Sequence, residues 1–309
     1  MMISFTGLSA SLALTLLALF PATSSDRATW PQCKRGWDGR GRVLELEDDD
    51  VTLLNLKNCN ITTLPSDAFN TTVPKLEEIH LDENNLQDID ASVFIPVSHV
   101  TLISLSYNKL RSIPIFGAYS LFPNLEELYL DNNRILSIND DRTFSLCENL
   151  ERLYLTHNQI EYIAPDIFKP LINLESIDLS YNKLTSVSDS VFHVKSLKVI
   201  RLDNNLISYI PPNAFSDLSQ LFLDNNRLSF LYANFSSVIT RPPARAIAMS
   251  LYNNPWQCAC LLELMEDVKG AKSGARYAYW EYNGVLKSCE FRGMVCHRHT
   301  LEENVKKLS

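Results

Sequence analysis

The side chains that could do chemistry are few and scattered. His80, Asp82 and Ser104 are the nearest approach to a nucleophile, base and orienting acid, which would mean acyl transfer if a serine were bonded to the imidazole. No nucleophile motif, deep-pocket signal or carboxylate pair accompanies them, so polar side chains facing solvent explain the group better than hydrolysis does. Four late cysteines, Cys258, Cys260, Cys289 and Cys296, stand near His297 and His299 and raise the question of zinc. A structural zinc usually takes two close ligand pairs, whereas Cys289 and Cys296 are seven apart. No cofactor, metal or catalytic site is therefore expected. The nine glycines include no GxxxxGK[ST] or GxGxxG arrangement, which removes the usual phosphate cradles.

Charge narrows the partners. Twenty-eight Lys and Arg against thirty-six Asp and Glu leave a net charge of −8, so duplex DNA and anionic bilayers are repelled on average. Residues 257–309 hold eight basic and seven acidic groups, which assigns the remaining −9 to the part before them. With 46% hydrophobic residues over 309 positions, the chain has enough apolar material for a large core.

The elements that must carry these groups come from a repeat. Nine segments, starting at Val51, Leu76, Val100, Leu125, Leu150, Leu174, Leu197, Leu218 and Ala246, fit LxxLxLxxN, mostly 23 to 25 residues apart. The ninth position is Cys59 in the first and Asn in the other eight: Asn84, Asn108, Asn133, Asn158, Asn182, Asn205, Asn226 and Asn254. The LxL alternation predicts a short strand with Leu inward, and stacked coils would pair these strands into one parallel sheet. Helical spacing does not persist through the Asn-rich turns. An amide can both donate and accept, so each Asn is expected to satisfy backbone groups that the turn would bury. Phe69, Phe94, Phe168, Phe192 and Phe215, each eighteen residues after a repeat start, predict a stacked inner spine.

On these residues the sequence resembles the extracellular leucine-rich-repeat family of the typical 24-residue class. The resemblance implies an α/β solenoid: a horseshoe with a concave parallel sheet and short helical or irregular convex segments. The run Asn254-Pro255-Trp256-Gln257-Cys258-Ala259-Cys260 resembles the C-terminal cap of Slit-type, Toll-type and Nogo-receptor-type ectodomains. That resemblance implies the pairs Cys258 with Cys289 and Cys260 with Cys296, and a short helix over Leu261–Val268. At the other end only Cys33 precedes the repeats, where the family cap usually has four cysteines, and Cys59 is its most available partner. Cys147 is left over, either a buried free thiol or a disulfide to another chain.

Residues Leu8–Phe20 form an uncharged, largely apolar run of thirteen, too short for a bilayer at 1.5 Å per residue, which predicts a signal peptide over residues 1–24. The expected organisation continues with an N-terminal cap region at 25–50, repeats at 51–253 and the cysteine-rich cap and tail at 254–309. Export would make Asn60, Asn70 and Asn234 usable glycan acceptors.

Function is expected on the outward strand positions. One column reads Asn55, His80, Ser104, Tyr129, Tyr154, Asp178, Arg201, Phe222 and Ser250. The next reads Lys57, Asp82, Ser106, Asp131, Thr156, Ser180, Asp203, Asp224 and Tyr252. Aromatics among charges make a plausible hot spot, so a protein partner of basic or mixed charge is expected around Tyr129, Asp131, Arg152, Tyr154, Asp178, Arg201 and Phe222. Two readings compete: a secreted recognition protein like insect leucine-rich immune proteins and Toll-like ectodomains, and a matrix or adhesion protein. Acidic repeats argue against heparin binding in the second.

Overall fold

The computed structural model describes residues 51–69, 74–117, 122–211, 214–215, 218–231 and 248–256. The expected signal peptide, both cap regions beyond Trp256 and before Val51, the Leu261–Val268 helix, Cys33, Cys258, Cys260, Cys289, Cys296, Asn70 and Asn234 lie outside the described residues.

Each coil begins with a three-residue strand: β1 (Leu53–Asn55), β2 (Glu78–His80), β3 (Leu102–Ser104), β4 (Glu127–Tyr129), β6 (Arg152–Tyr154), β8 (Ser176–Asp178), β9 (Val199–Arg201), β10 (Gln220–Phe222) and β11 (Ala248–Ser250). Among the described residues these nine form one parallel sheet in sequence order, as the repeat predicts. The pairing is residue for residue: Asn55 faces His80, His80 faces Ser104, Ser104 faces Tyr129 and Tyr129 faces Tyr154. Tyr154, Asp178, Arg201, Phe222 and Ser250 continue the same row. The 21-residue spacing before Leu218 leaves this register intact, because length is absorbed after the Asn turn. A second pair, β5 (Ser137–Ile138) with β7 (Tyr162–Ile163), lies farther round coils four and five.

Alternation does what the pattern requires. The central residue of each of the first eight strands, such as Leu54, Ile79, Leu128 and Leu153, is fully buried and its two neighbours less so. On the opposite side the backbone is irregular, with one 3₁₀ helix among the described residues (Ala91–Val97), at whose start the Asp90 side chain accepts from Ser92 N at 2.9 Å. The Phe spine is present in two runs. Phe69 stacks on Phe94 at 5.5 Å, and Phe168 on Phe192 at 6.1 Å and Phe192 on Phe215 at 5.7 Å. Phe116, Phe122 and Phe144, which do not fall on the eighteen-residue slot, complete it where Ala118 and Thr143 occupy that slot. Between the runs coils three and four approach at Gly117, where a Cβ would lie 2.1 Å from the Arg142 carbonyl oxygen, so no larger residue fits without a backbone shift.

The Asn ladder is buried at seven of its eight positions, Asn254 being half-buried. Asn108 donates to Leu81 O at 2.9 Å in the preceding coil and accepts from Leu86 N at 3.0 Å, and the other seven repeat the arrangement coil by coil. Each amide therefore ties its coil to the one before. The sequence pattern did not reveal a second set on the far side: Asn124 donates to His99 O, Asn149 to Pro123 O and Asn173 to Asn149 Oδ1. Each occupies the last position of its repeat.

Position eight of every coil is left-handed, at Asn58, Glu83, Tyr107, Asn132, His157, Tyr181, Asn204, Asn225 and Asn253. Asn tolerates this backbone, whereas Glu, His and Tyr bear roughly 1–2 kcal/mol there. The ladder holds them: Tyr107 N donates to Asp131 O at 2.9 Å and Tyr181 N to Asp203 O at 3.0 Å.

Cys147 is a free thiol only 1% exposed. Of the two readings of Cys147, this burial in the hydrophobic core favours the free thiol over a disulfide to another chain. Burial pushes that thiol up to about 12. Cys59 is disulfide-bonded. No helix among the described residues is long and apolar enough to cross a membrane.

Candidate partner-binding face

The outward columns stand side by side because the register is strict. Tyr129 and Tyr154 lie on adjacent strands with ring centroids 4.5 Å apart and planes 8° from parallel. That separation is the strand spacing, so the sheet itself sets the stack. Tyr129 Oη donates to Glu127 Oε2 at 2.5 Å, and Arg152 donates to Glu127 Oε1 at 2.7 Å and to Glu151 Oε2 at 3.1 Å. One carboxylate thus fixes both the ring and the guanidinium. Burial, then the Glu127 bond, push the Tyr129 phenol upward, so it stays a neutral donor.

Farther along the row the Arg201 guanidinium lies 4.8 Å over the Phe222 ring, with its Nε 3.7 Å from Asp178 Oδ2 and 3.3 Å from Asp203 Oδ1. Asp178 Oδ1 also accepts from Ser180 N at 2.9 Å and Ser180 Oγ at 2.6 Å. Asp131 accepts from Ser106 Oγ at 2.5 Å and Asn132 Nδ2 at 2.9 Å. All seven residues expected at a binding face are therefore on one surface. Five of the seven form a continuous aromatic–aromatic–acid–base–aromatic run along one row, from Tyr129 through Tyr154, Asp178 and Arg201 to Phe222. The position-seven column is more enclosed than the sequence suggests: Asp82, Ser106, Ser180 and Asp203 are buried, because curvature crowds short side chains between longer neighbours. Burial first, opposed by the Ser250 and Tyr252 N bonds, leaves the Asp224 carboxyl above its usual range.

Sequence reading missed the rim. Tyr107 and Tyr181 are 56% and 48% exposed at left-handed positions, and His157 stacks on Tyr181 at 4.2 Å. The available signal was an aromatic residue in a slot where Asn is favoured.

The His80 group is assembled but wired for structure. Ser104 donates to Asp82, Asp82 Oδ2 lies 3.5 Å from His80 Nδ1, and Glu78 Oε2 lies 3.2 Å from His80 Nε2. Carboxylates face both ring nitrogens and the serine bonds to the acid, so no base activates the hydroxyl. Hydrogen bonding to Asp82, opposed by burial and helped by Glu78, raises the His80 pKa. Burial would raise Asp82, but the His80 and Ser104 bonds outweigh it and hold that carboxyl low. Among the described residues no three His, Cys, Asp or Glu are grouped to hold a metal ion.

The outward columns carry Glu78, Asp82, Glu127, Asp131, Asp178, Asp203 and Asp224 against Lys57, Arg152 and Arg201, so the face is acidic.

Comparison with known proteins agrees with that architecture. The family described as "Leucine rich repeat" matches residues 50–110, 123–184 and 172–228, and "Leucine Rich repeats (2 copies)" matches 98–141. Rattus norvegicus leucine-rich repeat and fibronectin type-III domain-containing protein 4 is 34% identical over 110 residues, which is 32% of this chain and 17% of that protein. Homo sapiens leucine-rich repeat-containing protein 3B is 31% identical over 90 residues, 28% of this chain and 32% of that protein. This chain therefore spans less than a third of the length of these relatives. Among solved structures, a Leptospira interrogans LRR protein superposes with a TM-score of 0.61 at 22% identity, covering 72% of this chain and 54% of that one. A TLR13–ssRNA13 complex gives 0.60 at 28% identity, covering 66% of this chain and 28% of that one. Proteins of this kind are generally interaction modules, not enzymes. With more than half of its residues matched and nine coils bound by an amide ladder, the chain belongs to the leucine-rich-repeat family.

Proposed function

We propose that this chain is a secreted recognition protein that docks a protein partner on its acidic, aromatic concave sheet, in innate immunity or cell-surface signalling. The observation that carries the reading is the parallel Tyr129–Tyr154 stack at the middle of the sheet, continued through Asp178 and Arg201 to Phe222. Rigid rings offer large contact area at small entropic cost, and the flanking charges supply register. Export agrees with the Leu8–Phe20 run, with Cys33–Cys59, Cys258–Cys289 and Cys260–Cys296 as its disulfides and Asn60, Asn70 and Asn234 as glycan acceptors. Asn60 is exposed, which suits that role.

The TLR13 structure contains single-stranded RNA. Seven carboxylates against three cations on the present columns favour a protein of basic or mixed charge over a polyanion. The test is affinity capture from extracellular fluid with the wild type and with a Tyr129→Ala, Tyr154→Ala double variant. The variant is expected to retain its melting profile and lose a captured protein by tenfold or more, about 1.4 kcal/mol per tenfold. Equal capture by both would place the docking surface elsewhere, and retention on heparin at physiological salt would favour the matrix role.

A further inference from the structure

Beyond the rim of the concave sheet lies a second surface of opposite charge. Past each strand the alternation continues through the Asn turn, so positions nine and eleven point inward and positions eight, ten and twelve outward. In coils three to six the inward set is Asn108 and Leu110 with their counterparts, all of them buried. The backbone holds the outward columns in register. Arg134 N donates to Leu110 O at 2.8 Å and Lys183 N to Ile160 O at 2.9 Å. One row farther, Leu136 N donates to Arg111 O at 3.3 Å and Glu161 N to Leu136 O at 2.9 Å. At about 4.8 Å per coil, the edge from Lys109 to Lys183 is about 14 Å long.

This edge is basic in an acidic chain. Position ten carries Lys109, Arg134, Gln159 and Lys183, and position twelve carries Arg111, Leu136, Glu161 and Thr185. Four cations therefore stand against one carboxylate. Glu161 lies 3.7 Å from Lys183, and Glu83, at the rim one coil earlier, is taken by Lys57. Among the described residues Lys109, Arg111 and Arg134 pair with no carboxylate. Arg111, Arg134 and Lys183 are exposed and Lys109 is half-buried, so these charges are open to solvent.

Apolar groups are mixed with the cations. The exposed rings Tyr107 and Tyr181 stand at position eight of coils three and six, the second stacked on His157. Leu136, 50% exposed, lies between Arg111 and Glu161 in the position-twelve column. All three rim rings sit on a left-handed backbone that Asn adopts with less strain, so the fold itself does not call for aromatics there. A long polyanion fits this edge poorly. It gains nothing from Leu136, and the net charge of −8 and the carboxylates of the concave columns across the rim repel it. A short segment mixing carboxylates with an apolar side chain matches the cations, Leu136 and the rings together. About four or five extended residues, at about 3.3 Å each, span the edge. We propose that the edge formed by Lys109, Arg111, Arg134 and Lys183, with Tyr107 and Leu136, is a second docking surface that receives a short acidic and apolar peptide segment of a protein partner. It stands apart from the concave sheet and does not depend on what docks there.

The test titrates the whole chain, isotope-labelled at its backbone amides, with the blocked peptide acetyl-Glu-Asp-Phe-Glu-Asp-amide and its neutral counterpart acetyl-Gln-Asn-Phe-Gln-Asn-amide. The acidic peptide should shift the Lys109 and Arg134 amide signals saturably, with the neutral one at least about tenfold weaker at low salt. Arg111→Gln combined with Arg134→Gln should weaken the acidic peptide about five- to tenfold and leave the melting profile unchanged, because neither side chain is paired within the chain. Tyr107→Asn should weaken it about threefold without lowering the melting temperature, since Asn accepts the left-handed backbone. Equal binding of the two peptides, shifts confined to the concave strands, or indifference to the arginine pair each overturns the proposal. Tighter saturable binding of a heparin oligosaccharide than of the acidic peptide at the same amides also overturns it, and assigns the edge to a sulfated polysaccharide. None of these results touches docking on the concave sheet, which capture with the Tyr129→Ala, Tyr154→Ala variant reads separately.

Discussion

Replacing Asn158 with alanine removes one rung of the amide ladder and tests the physical basis of the solenoid. Its Oδ1 accepts from Ile135 N at 3.0 Å, and its Nδ2 donates to Leu130 O at 2.9 Å and Leu155 O at 3.1 Å. Ile135 is fully buried, so alanine strands its N–H away from water at about 1–3 kcal/mol. The two carbonyls add a smaller amount, because each has a second lone pair. The total is about 2–4 kcal/mol, and at about 2–4 °C per kcal/mol the midpoint should fall by roughly 10 °C. Asn254 is the matched control. It makes the same bonds, to Leu228 N at 3.1 Å and Leu223 O at 2.9 Å, but is only half-buried. Water can replace its partners there, so Asn254→Ala should cost less than about half as much. Circular dichroism melts give the midpoints, and hydrogen exchange at Ile135 shows whether the loss is local to coils four and five. Should Asn158→Ala lower the midpoint no further than Asn254→Ala, buried amide satisfaction is not what joins the coils.

His80 should give the fold a pH dependence on the basic side. Its folded pKa lies above 6.5, so the stability its protonated form contributes is full below that value and is lost as pH rises through the folded pKa. Melting temperature should therefore fall more between pH 6 and 8 in the wild type than in His80→Gln, and equal slopes would refute the assignment. Cys147, with its thiol pushed up to about 12 and packed in the core, should resist a disulfide exchange reagent at pH 8 until the chain unfolds. Rapid labelling of Cys147 in the native protein, or a Cys147-dependent dimer on a non-reducing gel, would contradict that burial.

The amino-acid sequence alone determined the architecture. A Leu pattern that cannot close on itself needs neighbours, and Asn at the ninth position of eight coils reveals where they are joined. Strand register followed from the same pattern, since alternation assigns every residue to one face, and it placed Tyr129 beside Tyr154 and Arg201 beside Phe222. Tertiary structure decided what depends on more than one coil at once. The pattern could not show that Phe116, Phe122 and Phe144 would complete the spine, because packing fills space by volume and not by spacing. Nor could it assign a left-handed backbone to Tyr107 and Tyr181, whose strain is accepted only because the next coil's carbonyls hold their amides. Hydrogen-bond partners were the last choice left to the fold: His80, Asp82 and Ser104 are neighbours by register, but their three-dimensional orientation joins serine to acid and leaves the imidazole between two carboxylates.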